Sequence, residues 1–419
     1  MAEIKQTFRR GDRNDQVFRA GDDAIETQAP DAGIRLSRAR RGRGKATMLI
    51  GVPREIKDSE YRVGLVPSTV RELTRNGHHV IVEKSAGLGA GIADADYRAV
   101  GAEIVPDADQ VYERGELVVK VKEPLAGERK KLRPGQVLFT YLHLAADPQQ
   151  TADLIAAGVI AIAYETVTSP QGTLPLLTPM SEVAGRMAPH VGARCLEKEN
   201  GGRGVLLGGV PGVPPADVVV LGGGVAGTNA ALISAGMGAT VTVIDRNPEV
   251  LRRITNQLGA RVRTVFSTSD AIETLCRRAD LVIASVLIPG AAAPKLITAE
   301  TVKAMKGGSV IVDIAIDQGG CAETSRPTTH SAPTYIVDDV VHYCVTNMPG
   351  AVARTSTFAL NNGTLPFVLA LADKGYRRAL GEDPHLRNGL NVYEGKVTHR
   401  AVADALKLKF VPPEAALRL

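Results

Sequence analysis

Two spacings of apolar residues alternate along this chain. Short runs rich in β-branched and aliphatic residues, MLIGV (48–52), HVIVE (79–83), LVVKV (117–121), VLFTY (137–141) and VIAIAY (159–164), are separated by stretches of helical period such as Pro67–Asn76 and Asp147–Ala157. The alternation resumes with VVVLG (218–222), TVTVI (240–244), RVRTVF (261–266), LVIAS (281–285) and VIVDI (310–314). Apolar runs of this length between helical segments predict βαβ units and parallel sheets covered on both faces. The expected class is α/β, with two Rossmann-like doubly wound parallel-sheet domains. A proline-punctuated bend, LPLLTP (174–179), precedes a helical pattern over Ser181–Lys198, and NMPGA (347–351) precedes another over Ser356–Lys374. These breaks place the second domain, 176–353, as an insertion in the first, which comprises 48–175 and 354–419.

A length of 419 residues with 44% hydrophobic and 23% charged positions is globular and sufficient for two or three domains. The formal charge of +5 suggests a nucleic-acid partner until it is divided along the chain. Residues 1–47 hold 11 Lys/Arg against 7 Asp/Glu, whereas the rest hold 39 against 38. The body is electrically balanced, so neither a nucleic acid nor an anionic membrane is an expected partner. The leader ends in Arg35, Arg38, Arg40, Arg41, Arg43 and Lys45 and has no hydrophobic period, so it is read as a disordered basic extension. Its acidic residues argue against a transit peptide, and the chain opens without the apolar region of a signal peptide. Val218–Ile244 runs uncharged for 27 residues, long enough to span a bilayer. Its six glycines and its Thr228, Asn229 and Ser234 break it into a soluble pattern instead. Cys195, Cys276, Cys321 and Cys344 show no CxxC spacing, which disfavours a metal site or a disulfide framework and favours a reducing, cytoplasmic setting.

That uncharged stretch carries the first candidate chemistry. Strand 218–221 runs into Gly222-Gly223-Gly224-Val225-Ala226-Gly227, then a helical 228–237, then a strand ending in Asp245. Gly222 permits the tight turn, Gly224 lets a pyrophosphate approach backbone N–H groups, and Gly227 allows close helix–strand packing. Asp245 stands where a carboxylate accepts hydrogen bonds from an adenosine 2′-hydroxyl and repels a 2′-phosphate. NAD is therefore expected over NADP, with the adjacent Arg246 as the one contrary feature.

Longer strings carry a more specific message. IGVPREIKDSEYRVGLVP (50–67), KVKEP (120–124), FTYLHLAAD (139–147), PLLTPMSEVAGR (175–186), GGRGVLLGGVPGV (201–213), APKLIT (293–298), VDIAIDQGGC (312–321) and YCVTNMPG (343–350) occur in this order. Over 48–419 the chain resembles the alanine dehydrogenase family, which is related to pyridine nucleotide transhydrogenases. The resemblance implies a homohexamer and reversible NAD-dependent oxidative deamination of L-alanine to pyruvate and ammonium. No metal is expected, because fixed cations polarise the carbonyl and the sequence has no ligand-spaced His/Cys cluster. It gives Arg62 the substrate carboxylate, which suits a planar guanidinium. Lys120 and Lys122 share strand parity, so pattern alone does not separate them; the resemblance selects Lys122 as the second substrate contact. His143 is implied as the acid–base residue, consistent with imidazole chemistry near neutrality. Asp317 is implied as the catalytic carboxylate, and the rule that ligands sit beyond the carboxyl ends of parallel strands favours it over Asp313. Further cofactor contacts implied are Ser181, Val225, Ala226, Ser267, Val286, Leu287, Ile314, Ala315, Ile316, Asp317, Val345, Asn347 and Met348. Val250 departs from the basic residue expected there. The division of proton transfers between His143 and Asp317 stays open, as does selectivity among small 2-amino acids. Alternative readings are the soluble NAD-binding subunit of a transhydrogenase, a related amino-acid dehydrogenase, or a silent NAD sensor.

Overall fold

The computed structural model describes residues 47–286 and 293–419, so all of the extension but its last residue, and Leu287, lie outside the described residues. The first strands are β1 (Leu49–Val52), β2 (His79–Glu83), β3 (Glu103–Val105), β4 (Leu117–Val119), β5 (Val137–Thr140) and β6 (Ile160–Ala163). They are followed by β7 (Asp217–Leu221), β8 (Thr240–Asp245), β9 (Val262–Phe266), β10 (Leu281–Ala284), β11 (Val310–Asp313), β12 (Thr334–Val337) and β13 (Val340–Tyr343). Two more, β14 (Leu390–Tyr393) and β15 (Lys396–Val397), end the series.

One sheet has the order β15-β14-β6-β5-β4-β1-β2-β3, the other β12-β13-β11-β10-β7-β8-β9. Pairing is parallel except where β14 meets β6 and β15, and where β12 meets β13. Every apolar run named above forms a strand, and the class is α/β. β4, β5, β6, β10 and β11 are buried along their whole length, the consequence of helices on both faces. The antiparallel edges depart from the all-parallel expectation. β12 and β13 are joined through Asp338 and Asp339, both at positive φ (47° and 59°), as a primed hairpin turn requires.

The LPLLTP segment is a helix start rather than a bend. Pro179 stands in the first turn of the helix Thr178–Cys195, where its missing N–H costs nothing. That helix packs against the helix Val225–Gly236, which begins within the glycine string, and against the long helix Ala353–Lys374. At their closest approach a side chain on Gly185 would meet the carbonyl of Ala226. All four cysteines are free and buried. No helix among the described residues is long and apolar enough to cross a membrane.

Candidate functional site

The segments following β4, β5, β7, β8, β10, β11 and β13 all contribute to a single cleft of about 2090 Å³. All are carboxyl ends of parallel strands, where backbone ladders stop and loops are free to carry chemistry. The start of the helix Thr178–Cys195 adds Met180 and Ser181 to the same wall.

The glycine loop has the shape a dinucleotide requires. Gly222 turns with φ +92°, while a Cβ on Gly227 would lie 1.8 Å from the carbonyl oxygen of Gly222. Gly224 is the opposite case: a Cβ there meets nothing within 4 Å, and the residue lines the cleft beside Val225 and Ala226. The helix that starts at Val225 has no side-chain cap, which leaves backbone N–H groups and the positive dipole end for an anion. Arg253 fixes the loop from behind by donating to the Gly223 carbonyl at 2.6 Å. Asp245 accepts from Gly223 N at 2.7 Å and Asn247 N at 2.8 Å, one bond to each oxygen. A carboxylate has about four acceptor positions, so capacity for hydroxyl groups remains. Ser181, Ser267, Val286, Ile314, Ala315, Val345, Asn347 and Met348 also line the cleft. Gly227 and Ile316 do not: Gly227 is packed under Gly222, and Ile316 is buried.

Lys122, His143 and Asp317 share this cleft. Lys122 and Lys120, indistinguishable by parity, diverge. Lys120 is buried between Glu55 and Glu128, whereas the Lys122 ammonium has no hydrogen bond or ion pair among the described residues. Burial and the Arg62 guanidinium push the Lys122 ammonium below the usual lysine value, against the pull of Glu123 and Asp317. His143 is held in the left-handed region (φ 51°), which costs a non-glycine residue roughly 1–2 kcal/mol. Glu165, missed in the sequence, secures this conformation by accepting the His143 N–H at 2.6 Å and the Leu142 N–H at 3.2 Å. The imidazole lies parallel to the Tyr141 ring and is half exposed, with Nδ1 4.0 Å from Glu165. Asp317 follows β11 in a loop tied to Asp313, whose buried carboxylate accepts from Ala315 N, Cys321 N, Ala322 N and Ser325 Oγ. Asp313 is thus a scaffold and Asp317 the residue on the cleft wall.

Arg62 departs from its expected exposure to a ligand. It is 2% exposed and absent from the cleft wall, because Glu60, two residues earlier, fills its fork at 2.7 and 2.6 Å. Its remaining contacts are Asn347 Oδ1 at 2.7 Å and the Met180 sulfur at 3.1 Å, both on residues that do line the cleft. Burial works to raise the Glu60 carboxyl, but Arg62 and Asn347 hold it down to about 2. A carboxyl whose folded pKa lies below its unfolded value of 4.5 stabilises the fold above that value and loses the contribution as pH falls toward 2. Thermal unfolding of the wild type should therefore lose about 3 kcal/mol between roughly pH 5 and 2 through this one group. Glu60→Gln should lack that portion of the acid dependence; an identical pH profile in the variant would refute the assignment.

Known proteins supply the family. Residues 51–184 match the model for the alanine dehydrogenase/PNT N-terminal domain, and 188–400 that for the C-terminal domain. The chain is 59% identical over 364 residues to an alanine dehydrogenase of Halomonas elongata, covering 87% of this chain and 98% of that protein. It is 57% identical over 363 residues to an alanine dehydrogenase of Mycolicibacterium smegmatis, with the same coverage. A solved L-alanine dehydrogenase superposes with a TM-score of 0.84 at 54% identity, over 86% of this chain and 99% of that one. A transhydrogenase structure from Sinorhizobium meliloti, 24% identical with a TM-score of 0.74, shares the fold over 83% of this chain and 99% of its own.

Proposed function

This chain belongs to the alanine dehydrogenase/PNT family, and from that premise we propose that its cleft performs the reversible oxidative deamination of L-alanine to pyruvate and ammonium with NAD. It is an oxidoreductase that uses a nicotinamide cofactor and small-molecule substrates. The observation that carries the reading is the meeting of Lys122, His143 and Asp317 with the glycine loop in one cleft.

A dinucleotide held there would supply the hydride acceptor, or in reverse the donor, for the substrate α-carbon. The residues proposed to hold the dinucleotide are Gly222, Gly224, Val225, Ala226, Asp245, Ser181, Ser267, Val286, Ile314, Ala315, Asp317 and the segment 345–348, with Gly227 and Ile316 supporting the wall from beneath. Lys122, backed by Arg62, holds the substrate carboxylate and polarises the carbonyl in the reverse direction. His143 carries the proton that must leave the substrate ammonium before its lone pair can drive iminium formation. Asp317 balances positive charge on that nitrogen and orients the water that adds to the iminium. Good orientation of this sort can supply on the order of 7–11 kcal/mol of barrier reduction.

NAD is proposed over NADP because Asp245 keeps a carboxylate beside the glycine loop. Asp245→Ala should relax the NADH/NADPH preference in kcat/KM; an unchanged ratio would remove Asp245 from ribose reading. The test of the whole reaction is a steady-state assay of pyruvate, glyoxylate and 2-oxobutyrate with ammonium and NADH, with NADPH as control. Absence of pyruvate-dependent NADH oxidation would end the proposal. A homohexamer in the cytoplasm is proposed on family likeness, and light scattering on the purified protein tests the assembly.

A further inference from the structure

Lys120, which never reaches the cleft, is the centre of a fully buried polar cluster. Its ammonium lies 3.1 Å from Glu55 Oε2 and 2.7 Å from Glu128 Oε1, and the Tyr112 hydroxyl donates to that same Glu128 oxygen at 3.0 Å. Each carboxylate has a second engagement. Glu55 Oε1 accepts the Val121 N–H at 2.7 Å and the Lys122 N–H at 3.3 Å, while Glu128 Oε2 accepts the Leu125 N–H at 2.8 Å. From the other side the Thr140 hydroxyl donates to the Lys122 carbonyl at 2.9 Å. After β4 ends, the chain around Lys122 is therefore held by side chains as well as by neighbouring backbone.

A buried ion cluster of this kind is weak evidence for stability, since apolar side chains of like volume often serve as well. Its bonds fall on the backbone of the segment that presents Lys122. The Lys122 ammonium has no protein partner of its own among the described residues, so its place in the cleft depends on where its backbone is fixed.

We propose that Glu55 is a positioning residue for Lys122: by accepting the N–H groups at 121 and 122, with its other oxygen anchored on Lys120, it sets the point from which the Lys122 side chain enters the cleft. The inference rests on the reading of Lys122 as a substrate contact.

Two double variants isolate the acceptor at position 55. In Glu55→Gln/Lys120→Met a carbonyl oxygen remains for the two N–H groups; in Glu55→Leu/Lys120→Met it does not, while volume and charge are matched. The Leu pair should lose roughly ten- to a hundredfold in kcat/KM for pyruvate relative to the Gln pair, the scale of a small misplacement of a catalytic group. The KM for NADH and the thermal midpoint should be alike in the two. Equal pyruvate kinetics in the two pairs would overturn the proposal, as would failure of the Leu pair to fold, which would make Glu55 a residue of stability. Lys122→Met separates the premises. Full activity in that variant would discard Lys122 as a substrate contact and the inference with it, whereas impaired Lys122→Met beside equal Gln and Leu pairs would discard the inference alone.

Discussion

His143→Ala should reduce turnover by ~10²–10⁴-fold while leaving the KM for NADH near its wild-type value, the loss typical of removing a proton carrier. The imidazole is half exposed within the cleft, stacked on Tyr141, and contributes nothing to the core. Its backbone is the strained part, at φ 51°, and Glu165 holds that conformation through two N–H groups whatever side chain is present. The fold should therefore survive the substitution with an unchanged thermal midpoint, and the lost activity can be assigned to chemistry. Asparagine, which tolerates the left-handed region, is the cleaner second variant. A kcat within a few-fold of wild type would remove His143 from the reaction.

Asp317→Asn should be comparably damaging, at least ~10²-fold in kcat, because it keeps the size of the side chain and removes only its charge. It also makes a prediction that a merely structural residue would not. Asp317 is one of the groups raising the pKa of Lys122, which burial and Arg62 lower. Without the carboxylate the Lys122 ammonium should lose its proton at lower pH, so the alkaline limb of kcat/KM for pyruvate should shift toward acid. A shift toward base, or none alongside normal kcat, would show that the two side chains do not work together.

Which elements are legible in the sequence follows from the forces that shape them. Strands covered on both faces, such as β4 and β11, declare themselves because their positions are apolar, apart from Asp313 at the end of β11. β12 was invisible because it is an edge strand with alternating exposure and no continuous apolar run. β3 and β15 are three and two residues long, too short for a period to register. The helix Thr178–Cys195 begins three residues before its helical pattern suggests, because Pro179, a good opening residue, resembles a breaker in sequence. In the site, the glycine loop was legible from its own string. Separating Lys120 from Lys122 needs the family resemblance, because both obey the same parity, and the difference lies in two glutamates, Glu55 far upstream and Glu128 in the following helix. The Glu60 fork on Arg62 and the reach of Asn347 across 285 residues leave no trace in any local pattern. Gly227 and Ile316 belong to the right segments but support the wall from beneath.

The buried cysteines turn the protein into its own timekeeper. Burial pushes Cys195 up to about 11 and Cys276 and Cys321 up to about 12, so almost none of the reactive thiolate exists while the surrounding packing is closed. Alkylation of the native protein then proceeds only through openings, and each thiol times a different one. Cys321, whose N–H is bonded to Asp313 at the end of the Asp317 loop, clocks the breathing of that loop. Cys276, sealed in the interior of the second sheet's helical cover, clocks something closer to global unfolding. A ligand that seats against the loop will slow the first clock in proportion to its occupancy, which gives a measure of binding that requires no turnover.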